Sequence, residues 1–162
     1  MILDNDLLFS DAQAVTAAAA STNYYDTGPL GYVGATSSTS PPANTGRNLG
    51  TGGELYFSIS VDTAMTDSGS NSTLAVTLET DDNSSFSSAA TVATLVTIPA
   101  VSAAGTKYFV KVPIATTVPY ERYLRIYYTP ANGDLSAGAF TVALVKDVDN
   151  YAVYQSAVAT GI

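Results

Sequence analysis

Apolar and polar positions alternate with a period of two along much of this chain. That spacing lets a β-strand turn one face to a core and the other to water. In Leu55-Tyr56-Phe57-Ser58-Ile59-Ser60-Val61-Asp62, the residues Leu55, Phe57, Ile59 and Val61 share one face. Tyr56, Ser58, Ser60 and Asp62 share the other. Leu74, Val76 and Leu78 set against Ala75, Thr77 and Glu79 predict a second strand. Residues 92–98 predict a third, with less regular alternation. Tyr108, Val110 and Val112 oppose Lys107, Phe109 and Lys111 in a fourth. Leu124, Ile126 and Tyr128 oppose Tyr123, Arg125 and Tyr127 in a fifth, and Phe140, Val142 and Leu144 define a sixth. Turn signals separate these runs: Ser68-Gly69-Ser70-Asn71, Asp81-Asp82-Asn83, Ala104-Gly105 and Asn132-Gly133. Pro113 and Pro119 bracket the connection after the fourth strand. Short strands at this spacing, with no βαβ rhythm, predict an all-β sandwich or jelly roll.

The N-terminal third is less regular. Residues 12–20 are alanine-rich and fit a short helix. Thr16 and the Ser21-Thr22 break fit an extended segment equally well. Tyr24-Tyr25-Asp26 and residues 30–33 read as further short strands, split by Thr27-Gly28-Pro29. Residues 34–53 are rich in Gly, Ser, Thr, Pro and Asn and read as an extended surface loop or arm. No internal repeat is present. The expectation is one domain over residues 1–162, with residues 147–162 as a C-terminal tail.

Composition narrows the chemistry. The 162 residues contain no histidine, cysteine or tryptophan. A Ser-His-Asp triad, an imidazole metal ligand, a disulfide and a thiolate site are therefore excluded. Fourteen acids against six bases leave a net charge of −8, which disfavours nucleic acid as a partner. Asp4 and Asp6 stand where a signal peptide would carry bases, and no apolar run reaches the ~18 residues of a membrane span. A cytoplasmic site of synthesis is expected, and the sequons at Asn71 and Asn83 read as chance.

Carboxylate pairs are the common catalytic chemistry left. Glu54, Glu79 and Glu121 are the only glutamates, each on a strand edge or polar face. Solvated strand-edge acids explain them better than a glycosidase pair does. Asp81-Asp82-Asn83 and Asp147-Val148-Asp149-Asn150 lack the EF-hand pattern and read as turns. The glycines of residues 46–53 lack phosphate-loop spacing and read as an entry into the Leu55 strand. No catalytic residue, metal or cofactor is expected. Five of the six bases, Lys107, Lys111, Arg122, Arg125 and Lys146, lie in the second half. If the fourth and fifth strands are neighbours, Lys107, Lys111 and Arg125 share an outer face with Tyr123 and Tyr127. Such a face is either an interface or an ordinary solvated surface.

Several stretches resemble phage capsid cement proteins of the Bordetella-phage type. They are Leu7-Leu8-Phe9-Ser10-Asp11-Ala12-Gln13-Ala14-Val15-Thr16, Arg47-Asn48-Leu49-Gly50-Thr51-Gly52, and Glu121-Arg122-Tyr123-Leu124-Arg125-Ile126-Tyr127-Tyr128. The strand from Phe140 ending in Asp147 fits too. The resemblance implies a jelly-roll decoration protein on the outer surface of a virion. It implies that the chain cements an icosahedral shell of HK97-type major capsid protein against DNA pressure. It further implies a homodimer or other small homo-oligomer, with no membrane, nucleic acid or cofactor. The stretch 32–45 is longer than the family pattern. On this basis the interface candidates are Arg47, Tyr123, Arg125, Tyr127, Tyr151 and Tyr154. The alternatives are a carbohydrate-binding or adhesin module, which the lack of tryptophan disfavours, a carboxylate hydrolase, and a head–tail or tail structural protein of similar fold.

Overall fold

Eight antiparallel strands form the protein in a computed structural model that describes residues 5–28, 55–113 and 117–146. A 3-10 turn over Asn5–Leu7 leads into β1 (Leu8–Ala14) and β2 (Ala19–Asp26). Then follow β3 (Leu55–Thr66), β4 (Thr73–Asp81), β5 (Ala90–Ile98), β6 (Lys107–Lys111), β7 (Tyr123–Ala131) and β8 (Ala137–Lys146). All six strands expected from alternation are present. Residues 12–20 hold no helix. They end β1, cross between sheets and begin β2. The helix propensity of alanine, under ~1 kcal/mol per residue, yields here to tertiary pairing. Ala14 pairs with Ala139 and Ala19 with Tyr128. Val15 between them is buried and donates its amide to the Gly138 carbonyl at 2.9 Å. The expected 30–33 strand, the 34–53 loop and the 147–162 tail lie outside the described residues.

The strands form two four-stranded sheets. The first has the order β1-β8-β3-β6 and the second β2-β7-β4-β5. The pairing is nested: β1 with β8, β2 with β7, β3 with β6, and β4 with β5. A long four-by-four hairpin folded over on itself gives this pattern. Contacts of β3 with β8 and of β4 with β7 then close each sheet. β6 and β7 therefore belong to different sheets. Lys107 and Lys111 stand on the first sheet and Tyr123, Arg125 and Tyr127 on the second, so the shared face considered above does not form.

The core is the space between the two inner faces. Phe57, Ile59, Val61, Phe140 and Val142 of the first sheet meet Leu74, Val76, Leu78, Leu124, Ile126 and Tyr128 of the second. Each of these is at most 1% exposed, so all are dry, as the alternation requires. Two features depart from simple alternation. β3 runs past Asp62 to Thr66 through register shifts after Val61 and Thr63, and Thr63 is exposed although it shares the parity of buried Val61 and Met65. The first sheet is also buried on part of its outer face, at Ser58, Ala143 and Val145.

One polar pair crosses the core. Ser10 on β1 and Tyr128 on β7 are both fully buried, and their hydroxyls hydrogen-bond to each other. The Tyr128 ring stacks on Phe140 at 5.9 Å. Burial pushes the Tyr128 phenol up to about 12, against the opposing pull of the Ser10 hydrogen bond. Neutral at all ordinary pH, the pair ties the first strand of one sheet to the centre of the other. Tyr128→Phe removes one partner and leaves the Ser10 hydroxyl without it. The expected loss is about 1–2 kcal/mol in urea unfolding, with the double variant Ser10→Ala/Tyr128→Phe costing less than the two single losses added.

Candidate functional site

Among the described residues, the outer face of the second sheet brings aromatic, arginine and carboxylate side chains together. On β7 the alternation that sends Leu124, Ile126 and Tyr128 inward sends Tyr123, Arg125 and Tyr127 outward. Register then decides their neighbours. Arg125 lies between Tyr24 of β2 and Glu79 of β4. Tyr123 lies between Asp26 and Asp81.

Both arginines here are engaged within the chain. Arg125 donates Nε to Glu79 Oε2 at 2.8 Å, with side-chain exposures of 19% and 13%. Its guanidinium lies 4.4 Å from the Phe86 ring centroid and 5.3 Å from that of Tyr127. Arg122 grips Asp26 through Nε and Nη2, each bond 2.8 Å, and lies 4.9 Å from the Tyr123 ring. That two-toothed hydrogen bond is the main reason the Asp26 carboxyl titrates below the usual range, helped by the Gly28 amide. Tyr24 meets Phe86 and Tyr123 edge-on, at centroid distances of 6.0 and 5.6 Å. The result is a ledge of interlocked rings and guanidinium planes.

The β4–β5 loop sets one end of this ledge. Asp81 is fully buried beneath it. Its Oδ1 accepts the Asn83 amide and its Oδ2 the Ser88 amide, both at 2.8 Å. The Asn83 carbonyl accepts the Phe86 amide at 3.0 Å. Phe86 stands at φ 52°, in the left-handed region that a bulky residue rarely enters. Such strain costs roughly 1–3 kcal/mol and persists only where the surroundings enforce it. The loop hydrogen bonds and the ring's seat on Arg125 provide that enforcement. Desolvation raises the Asp81 carboxyl, but the Asn83 and Ser88 donors outweigh it and its pKa falls. Asp81-Asp82-Asn83 thus serves as a turn. Nearby, burial and then the charges of Asp82 and Asp81 raise the Glu121 carboxyl.

Of the residues expected at an interface, Tyr123, Arg125 and Tyr127 stand together. Arg47, Tyr151 and Tyr154 lie outside the described residues, as do Glu54 and the turn 147–150. Lys107 and Lys111 flank exposed Phe109 on the opposite sheet. Sequence reading missed Tyr24 and Phe86 as members of the site. The signal for Phe86 was there: a lone aromatic in an otherwise polar turn. Tyr24 offered none, since its place depends on pairing across about a hundred residues of chain.

Asp81→Ala is expected to destabilise the fold by about 2–3 kcal/mol, read by urea unfolding, because a buried carboxylate loses charge-assisted bonds. A lowered folded pKa means that the Asp81 contribution is complete above the unfolded value of about 3.9 and fades as pH falls through the folded value. The wild-type and Asp81→Ala melting curves should therefore converge in acid. Glu121 has the opposite sign, since its raised folded pKa makes its ionisation oppose folding. Glu121→Gln should raise the melting temperature at pH 7 and leave it unchanged at pH 3.

No curated protein matches the chain. The family model named Bbp16 matches residues 9–144. The match begins in β1 and ends in β8, so it spans every strand of the sandwich and the whole ledge. With that extent of match, the chain belongs to the Bbp16 family, a Bordetella-phage protein family.

Proposed function

We propose that this protein is a jelly-roll cement protein of a tailed phage. In this reading it sits on the outside of an icosahedral shell and bridges neighbouring subunits of an HK97-type major capsid protein. It acts as a homodimer or other small homo-oligomer, and it works without catalysis or a cofactor. The observation that carries the reading is membership of a phage protein family across all eight strands. The nested strand order supports the jelly-roll assignment, because two four-stranded sheets built this way match that architecture.

The mechanism is linkage. A protein that binds only the assembled shell stabilises assembly over dissociation by its own binding free energy. Such binding needs a preformed surface of roughly 800 Å² per partner, with aromatic and arginine anchors near its centre. The Tyr24/Phe86/Tyr123/Arg125 ledge has those residue types, held in place before any partner arrives. Because Arg122 and Arg125 are already neutralised by Asp26 and Glu79, they offer planar surface more than free charge.

The glycan-binding alternative draws on exposed tyrosines. Sugar stacking favours rings lying in one plane, whereas Tyr24 and Tyr123 stand at 81° to each other. Shells assembled without this protein decide the matter. Added protein should co-sediment with them and raise the temperature at which they release DNA, and Tyr123→Ala/Tyr127→Ala should weaken both effects. Absence of co-sedimentation, with no change in shell stability, would overturn the reading; a specific hit on a glycan array would favour the alternative.

A further inference from the structure

The β7–β8 connection carries a dipeptide with chemistry of its own. Of the eight asparagines in the chain, only Asn132 precedes a glycine. Asn132 stands at φ 65° and Gly133 at φ 122°, and residues 131–134 are all exposed. Asparagine enters the left-handed region more readily than most side chains, and glycine enters it without strain. The pair makes a good tight turn for that reason. It also places a carboxamide next to a main-chain nitrogen that no side chain shields.

The groups that would react are lightly held. The Gly133 amide makes no hydrogen bond among the described residues. Asn132 Nδ2 donates one long bond, to the Asn71 carbonyl at 3.4 Å. The Asn132 carbonyl accepts another, from Ser72 Oγ at 3.4 Å. Firm anchors resume at Leu135 and Ser136, whose amides reach the Thr16 and Thr66 carbonyls at 2.8 and 2.9 Å. Residues 132–134 can therefore rotate until the Asn132 carboxamide carbon meets the Gly133 nitrogen. The other described asparagines are worse placed. Asn71 is followed by Ser72, whose amide already donates to Asp67 Oδ2 at 3.2 Å. Asn83 is followed by Ser84, its Oδ1 accepts the Ser85 amide at 2.9 Å, and its carbonyl accepts the Phe86 amide at 3.0 Å. Asn23 is followed by Tyr24, and its Nδ2 donates to the Leu8 carbonyl at 3.0 Å.

We propose that Asn132 is a site of spontaneous deamidation, with Gly133 of the same chain as the nucleophile. The Gly133 nitrogen loses its proton and bonds to Asn132 Cγ. The carboxamide nitrogen leaves as ammonia, and a five-membered succinimide remains. Water then adds to either ring carbonyl and breaks one of the two ring C–N bonds, giving aspartate or isoaspartate. One water enters and one ammonia leaves, so no oxidant, metal or enzyme is needed. The product has structural consequences. A carboxylate replaces a neutral amide beside Asp134, in a chain already at −8. The Asn132 Nδ2 bond to Asn71 is lost, which loosens the tie between the β3–β4 and β7–β8 connections. Isoaspartate also adds one methylene to the main chain at the turn that leads into β8. The inference stands apart from the capsid-binding reading and does not need it.

The test uses the full chain, aged in its folded state in mildly alkaline buffer and, in parallel, at pH 6. Peptide mapping by mass spectrometry follows each asparagine. The peptide holding Asn132 is expected to gain one mass unit and to split into aspartate and isoaspartate forms. It should do so faster in alkali, since the attacking nitrogen must lose its proton. Peptides holding Asn23, Asn71 and Asn83 should lag behind it. Gly133→Ala should slow the gain by crowding the nitrogen, although φ 122° strains any side chain there. Asn132→Asp keeps the glycine, should lose the gain at this site entirely, and should elute from an anion exchanger with the aged wild type. Three results would refute the site: an earlier gain at Asn71 or Asn83, a gain only when urea unfolds the chain, or no gain while the peptide acetyl-Pro-Ala-Asn-Gly-Asp-Leu-amide converts in the same buffer.

Discussion

The drying of two inner faces against each other is the constraint on which the rest of this structure depends. Phe57, Ile59, Val61 and Phe140 on one sheet have apolar neighbours beside them, Leu144 next to Phe57 and Phe140 next to Val61, but those neighbours leave the inner face itself uncovered. The cover comes from Leu74, Leu78, Leu124 and Ile126 of the other sheet. Neither sheet is stable without its mate, since a sheet with one bare apolar face leaves that surface in water. The nested pairing follows from the same need. The eight described strands thereby turn their apolar faces to one common interior.

The core is not wholly apolar, and the exception has a use. Apolar faces slide; a buried hydroxyl pair does not, because a misplaced donor stays unsatisfied. Ser10 with Tyr128 supplies a single fixed point between β1 and β7. The register of β7 sets where Tyr123, Arg125 and Tyr127 emerge, so an interior bond helps to locate the exterior ledge. Buried Asp81 does similar work for the β4–β5 loop, where it holds Phe86 over Arg125 at the expense of backbone strain.

The ledge and a neighbouring cavity between the 3-10 turn and β2 share Tyr24 and Asp26. One end of the second sheet thus offers a rigid aromatic surface and, beside it, a hollow whose Asp26 is already paired with Arg122. The arginines on the ledge are structural members first, each fixed by a carboxylate before any partner approaches. Such preorganisation limits the side-chain entropy lost on binding.

Alternation alone determined a good part of this protein. Six strands, their inner faces and the outward direction of Tyr123, Arg125 and Tyr127 were legible, because the period-two pattern is local and each residue has only two sides to choose from. The missing histidine and cysteine likewise closed whole classes of chemistry before any fold was known. What alternation does not encode is which strand lies beside which. The residue pattern fits β6 beside β7 as well as it fits them on opposite sheets, so the place of Lys107 and Lys111 waited on the topology. The alanine-rich residues 12–20 were ambiguous for the same reason: intrinsic preference is worth tenths of a kcal/mol, and pairing with β7 and β8 outweighs it. Tyr24, Phe86 and the hollow beside β2 exist only once chain segments far apart in sequence are brought together. Long-range packing chose those neighbours, and no window of sequence contains them.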